Sequence, residues 1–362
     1  MSKSPFSIPV EPDWQEFIQV IRRERTPWRV HYIELFLDAE VQQAIGERYG
    51  LLGGLDPNDE FFALKRHLRL QRFLGYDYVR ASLEGLELPL KRATIEDTAS
   101  LRRESGRSYM EEHQGPIQSW EDFERYPWPD PEKASTRLLD WCSENVPPDM
   151  CIVATGGFAH FAEYLTWLFG YESLCYALYE KRDLVKAISD RLIEMYRIAL
   201  AKILQFERVR VVWGSDDMGF KTGPLISPND LREFVLPGHR LMAQMSHAAG
   251  RPYLLHACGN LSQIMDDLLN DVRIDALHSF EDTILDVRDA KRRFGNRIAV
   301  LGGIDVDFMC RAIEQEIRHR VRDTLEVCMP GGGYCLGSGN SVANYIPVDN
   351  YLAMLDEGRR FA

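Results

Sequence analysis

Between Glu11 and Arg25 the apolar residues Trp14, Phe17, Ile18 and Ile21 recur every three or four positions. That spacing predicts a short amphipathic helix ahead of everything else. Apolar runs of strand length follow at Trp28–Leu35, Gly75–Ser82, Met150–Gly157, Val209–Asp217, Pro252–Asn260, Ala276–Glu281, Ile298–Asp305 and Gly333–Gly339. Most neighbouring runs are separated by stretches of helical period, such as Glu60–Leu74, Phe161–Phe206, Pro228–Ala249 and Ile313–Cys328. Strands alternating with helices predict a parallel sheet, and eight such strands close a (β/α)8 TIM barrel. No Gly-x-Gly-x-x-Gly opens a helix after an early strand, so an open dinucleotide-binding sheet has no support. The pattern weakens over about residues 89–148, where Tyr126–Pro131 carries a proline cluster. A stretch this long is expected to be an insertion after strand two, beside or over the barrel. The chain is read as one domain over residues 1–362, with an N-terminal helical extension.

Composition narrows the class. With 362 residues, 45% of them hydrophobic, the chain can bury a large core. A formal net charge of -12 and the absence of a Lys/Arg run argue against nucleic acid as a partner. The start of the chain lacks the apolar centre of a signal peptide, and no apolar run approaches the ~20 residues that span a bilayer. A soluble, cytoplasmic protein is expected. The seven cysteines are odd in number and scattered, unlike a disulfide framework.

In a (β/α)8 barrel the chemistry lies at the carboxyl ends of the strands. This chain places Glu34, Ser82, Thr155, Asp216, Asp217, His256, Cys258, Glu281, Asp305, Cys335 and Ser338 at those ends. In the run Pro252–Asn260, His256 and Cys258 are two residues apart and share one strand face. Imidazole nitrogen and thiolate sulfur both suit zinc, although a hydrogen-bonded core histidine beside a small buried cysteine would have the same pattern. Asp216 and Asp217 are either two pocket carboxylates or one of these and a helix-capping residue. Trp213 and Tyr334 read as barrel-wall packing, and the glycines near 302, 332 and 338 as tight turns.

The segments His256–Asn260, Leu301–Asp305, Gly332–Asn340 and Ile346–Asn350, taken together, resemble the uroporphyrinogen decarboxylase superfamily over most of the chain from about Arg25 onward. The resemblance implies a (β/α)8 barrel and two branches: tetrapyrrole decarboxylases, and methyltransferases that exchange methyl groups with corrinoid proteins. The decarboxylase branch has an arginine pair after the first strand and a histidine after the last. Here Glu34 and Asp38 occupy the first-strand exit, Arg25 and Arg29 precede it, and Ser338 stands where the histidine belongs. A polycarboxylate substrate needs cations to hold it. The methyltransferase branch has a zinc motif beginning His-x-Cys, met by His256 and Cys258, with a distal cysteine at the position of Asn340.

The expectation is a zinc-dependent methyltransferase that uses a corrinoid on a separate protein and a small methyl donor or acceptor. The alternatives are a decarboxylase and a non-catalytic binding barrel. His256, Cys258 and Cys335 are expected as metal ligands, Asp217, Glu281 and Ser338 as reacting or orienting groups, and Asp216, Asp305 and Asn340 as cofactor contacts. Glu281 or Asp217, at neighbouring strand ends, is a further candidate ligand that would supply an oxygen. The sequence does not give the oligomeric state; a homodimer is a candidate only by analogy with the decarboxylase branch.

Overall fold

The computed structural model describes residues 4–110 and 113–361. Seven parallel strands form one curled sheet in chain order: β1 Tyr78–Ala81, β2 Cys151–Ala154, β3 Val209–Ser215, β4 Tyr253–His256, β5 Ala276–His278, β6 Ala299–Leu301 and β7 Tyr334–Cys335. The strands are apolar runs buried on both faces, as a helix-covered parallel sheet requires: Val211, Val212, Trp213, Leu254, Leu255, Val300 and Leu301 have no exposure. Register places the ends of β3, β4 and β5 side by side, with Ser215 opposite His256 and His256 opposite His278.

The expected first strand, Trp28–Leu35, takes the eighth position with less regularity than its sequence predicts. It meets the last strand through bridges from Tyr32 to Leu336 and from Leu37 to Val342. On its other side, among the described residues, side chains replace a ladder. The Tyr78 hydroxyl lies 3.1 Å from the Glu34 amide nitrogen and 3.2 Å from its carbonyl oxygen. Below it, the fully buried Asp77 carboxylate holds His31 Nδ1 at 2.6 Å, bonds Arg29, and accepts from the Asp13 amide at 2.7 Å. These side-chain bonds fill the gap where strand-to-strand pairing would lie. The fold is a (β/α)8-type barrel with its first strand reduced to bridges.

Other differences from the sequence pattern have local causes. The first helix covers only Trp14–Ile21, begun by the Asp13 side chain and ended as Arg23 turns left-handed at φ 61°. The helical stretch after β2 divides into Phe161–Phe169, Tyr171–Glu180 and Arg182–Ile203. Gly170 makes the first break, at φ +81°, where a Cβ would come within 2.6 Å of the Gln114 backbone nitrogen. The stretch 89–148 contains a two-stranded antiparallel hairpin, Arg92–Ile95 with Arg107–Met110, then helices Trp120–Arg125 and Arg137–Asn145. No helix of the described residues is long and apolar enough to cross a membrane.

Asp77 is the anion that pairs with Arg29 and that shares His31 with Glu16. Asp77→Ala is expected to lower stability by about 3–5 kcal/mol, the usual result of leaving buried charge unpaired, read as the shift in a urea unfolding curve. A loss below about 1 kcal/mol would mean that the backbone bridges alone hold the first segment.

Candidate metal centre

Asp216 and Asp217 leave the end of β3 for separate tasks. Asp216 has no exposure. It accepts hydrogen bonds from the amides of Ala162 at 2.8 Å and Glu163 at 2.9 Å, and pairs with His239 Nε2 at 2.8 Å. It therefore caps the first turn of the helix Phe161–Phe169, where amides lack intrahelical acceptors. Both oxygens of Asp216, expected as a cofactor contact, are bonded within the fold.

Asp217 instead turns to β4. Its Oδ1 accepts from the Cys258 amide at 2.9 Å and lies 3.4 Å from His256 Nε2. Cys258 Sγ lies 3.5 Å from the same Nε2. Among the described residues, Asp217, His256 and Cys258 form a group whose donor atoms all lie within 4.8 Å of one another. One carboxylate oxygen, one imidazole nitrogen and one sulfur match the ligand chemistry of zinc. The loop that carries Cys258 is pinned at Gly259, φ +89°, where a Cβ would come within 2.1 Å of the Gly219 backbone. Only glycine permits this crossing of two main chains.

The hydrogen bond and charge of His256 hold the Asp217 carboxyl down at about 2 despite its burial. Burial, the Asp217 charge and, more weakly, that of Glu281 push the Cys258 thiol far up. Left to themselves these residues make an anion beside a protonated thiol, and a divalent cation would favour the thiolate.

Second partners orient the trio. His256 Nδ1 is 2.7 Å from His278 Nδ1. Burial drives the His278 pKa well down, so its ring is neutral. A His256 that offers its Nε2 lone pair to a metal carries its proton on Nδ1 and donates it to His278. Asn340 Nδ2 donates to Cys258 Sγ at 3.1 Å, and Ser279 Oγ lies 3.8 Å from the same sulfur. Neither His278 nor Ser279 stood out in the sequence. The strand period was the available signal, since β5 pairs His278 directly with His256.

Other expected residues divide. Cys335 is fully buried within β7, and its thiol senses Asp77, Arg29 and Lys291. It lies three residues before Ser338, which bridges to Ile304 at the strand exits, and it is not part of the trio. The amide and hydroxyl of Ser338 both donate to Glu34, at 2.7 and 2.5 Å, with no exposure. Asp305 accepts from the amides of Phe308 and Asp282, at 3.0 and 2.9 Å, and so orders two loops. Glu281 senses the charges of Asp305 and Asp217. With Asn340 and Asp305 it lines a cavity of about 600 Å3. A second cavity of about 550 Å3 has Asp217 in its wall.

A parallel barrel with an oxygen, nitrogen and sulfur trio at its strand exits defines a barrel protein with a candidate metal centre at its mouth. The chain belongs to the uroporphyrinogen decarboxylase (URO-D) family, whose model matches residues 109–361. It is 30% identical over 130 residues to a methylated-thiol–coenzyme M methyltransferase of Methanosarcina mazei; the match covers 36% of this chain and 32% of that protein. That stretch spans about a third of the relative's length. The structure is similar to that of a methyltransferase from Methanosarcina mazei, with TM-score 0.68 and 18% identity, covering 97% of this chain and 99% of that one. A structure from Listeria monocytogenes described as a vitamin-B12 independent methionine synthase has TM-score 0.51 and 11% identity, covering 92% and 96%. At these identities both likenesses concern the fold.

Glu34 supplies a pH test of the mouth. Burial pushes its carboxyl up to about 8, against the pull of its bonds from Ser338. Between the ordinary value of 4.5 and about 8 the folded chain therefore binds more protons at Glu34 than the unfolded chain does. Stability from this group is present at low pH and is lost as pH rises through that window. Glu34→Gln removes the ionisation, so relative to the native chain it should gain stability between pH 5 and pH 8 in thermal melts. A difference that stays constant with pH would place a charged carboxylate at this position.

Proposed function

We propose that this chain is a methyltransferase that holds zinc with Asp217, His256 and Cys258 and exchanges a methyl group with a corrinoid borne by a separate protein. The geometry of the trio carries the reading, and the family and the methyltransferase relative support it. Bound zinc supplies Lewis acidity, which lowers the pKa of a thiol or polarises a leaving heteroatom at the position that three protein ligands leave open. The chain's own residues prepare that position. The Cys258 amide positions Asp217, Asn340 donates to the Cys258 sulfur, and His278 sets the His256 tautomer that presents Nε2. The methyl donor or acceptor is a small molecule that enters from the adjoining cavities.

Decarboxylation of a polycarboxylate is the weaker reading. Arg29 is buried against Asp77 and Arg25 pairs with Glu16, so neither arginine is free at the mouth. Glu34, bonded by Ser338, stands at the first-segment exit instead. A buried carboxyl held close to neutral offers no positive charge to the carboxylates that the reaction must hold.

Elemental analysis of the purified, zinc-reconstituted chain should find about one zinc per chain. His256→Ala, Cys258→Ser and Asp217→Ala should each lose it, and Cys335→Ala should keep it. No metal in the native chain, or unchanged zinc in the first three variants, would refute the proposal. His278→Phe should retain zinc but bind it about 10–100-fold more weakly, measured by competition with a chromophoric chelator. Unchanged affinity would remove His278 from the account.

A further inference from the structure

Arg80, the third residue of β1, carries a charge that no carboxylate meets among the described residues. Its side chain, mostly buried, lines a cavity of about 20 Å3 between β1, the first segment and the helices Ala39–Arg48 and Phe62–Leu74. These helices cover the outside of the sheet, so Arg80 is not a cation of the mouth. Its Nε is buried without a hydrogen-bond partner, and the guanidinium lies 5.9 Å from the centre of the Phe36 ring. The carboxyl in the cavity wall belongs to Glu34, which accepts from Ser338 and is pushed up to about 8 by burial, so near neutral pH it supplies little charge. Two neutral donors share the wall. Burial and the charges of Arg80 and Arg66 hold the His67 pKa down at about 3, so its ring is neutral. His67 Nε2 accepts from the Arg80 amide at 3.2 Å, which leaves the ring proton on Nδ1. Gln71 is 3% exposed, and its carboxamide has no hydrogen-bond partner among the described residues.

A cation withdrawn from water needs an opposite charge, and an unbonded buried polar group in a folded chain marks a place for a water or an ion. Water is neutral and brings two protons of its own into a cavity that already has donors. A monatomic anion accepts from a guanidinium, an imidazole N–H and a carboxamide N–H alike, and it carries the charge that Glu34 withholds. One water occupies ~10–15 Å3 of such space. A cavity of about 20 Å3 therefore admits a single-atom ion and excludes a carboxylate, phosphate or sulfate. We infer that this cavity binds one chloride ion, or a halide of similar size, against Arg80, Gln71 and His67. The site lies where the first segment has no backbone ladder to β1, so the ion ties Phe36 and Leu37 to β1 and to the helix Phe62–Leu74. It is separate from the trio, and the inference does not depend on the zinc reading.

Thermal melts of the full chain in sodium chloride and in sodium gluconate of equal ionic strength test this. Chloride should raise Tm by about 1–3 °C and the rise should saturate with concentration. Arg80→Met, which removes the charge and keeps the length, should abolish the difference, and Gln71→Leu should weaken the apparent chloride affinity several-fold. Arg293→Gln, at an exposed position on the helix Val287–Phe294, should keep the native response. Circular dichroism checks that each variant is folded. Crystals of the native chain grown in bromide should show one anomalous peak against the Arg80 guanidinium, a reading that stands even if Arg80→Met fails to fold. No chloride-specific rise, a rise that persists in folded Arg80→Met, or water alone at the site in bromide would each overturn the proposal.

Discussion

The carboxylate of Asp216 is the constraint around which the mouth is built. A buried anion must be satisfied from several directions, and this one draws in two amides from the helix Phe161–Phe169 and the imidazole of His239. Two helices, Phe161–Phe169 after β2 and Leu236–Ala248 after β3, are thereby tied to the end of one strand. Because Asp216 is used up in this way, the next residue supplies the carboxylate that reaches His256 and Cys258. The same bonds set the start of the helix that carries Glu163 and Trp167 to the neighbouring cavity.

Buried charge organises the opposite side of the barrel as well. Asp77 gathers Arg29 and His31 at the lower end of the first segment, while Glu34 and Ser338 bond at its upper end. With so few backbone bridges there, side-chain bonds carry the attachment. Arg29 is thus committed to holding the barrel together, and Arg25 pairs with Glu16. Glu34, close to neutral because of its burial, closes the mouth on that side.

The strands were legible because period and length report burial: all seven regular ones fall within predicted runs, in the expected parallel order. Trp28–Leu35 was read as an ordinary strand, since nothing in its own pattern shows that Asp77 and Tyr78 will meet it through side chains. At the site, His256 and Cys258 were legible because two residues of spacing fixes a shared face. Asp217 was legible as one of a pair, although which member served the fold depended on a helix more than fifty residues earlier. The position of Cys335, three residues before Ser338 along its strand, and the bonding of Ser338 to Glu34 depend on the assembled barrel and not on the sequence pattern. Glu163 and Trp167 escaped notice altogether. They lie on a helix whose apolar period reads as core, and only the assembled cavity distinguishes its exposed stripe.

The central claim is that Asp217, His256 and Cys258 jointly hold one zinc ion. X-ray absorption at the zinc edge reads the ligand set directly, because sulfur and the lighter ligands scatter at different distances. The account predicts a four-coordinate shell with one sulfur at about 2.3 Å and the remaining nitrogen and oxygen ligands at about 2.0–2.2 Å. A shell with two sulfurs, or one with none, would contradict it.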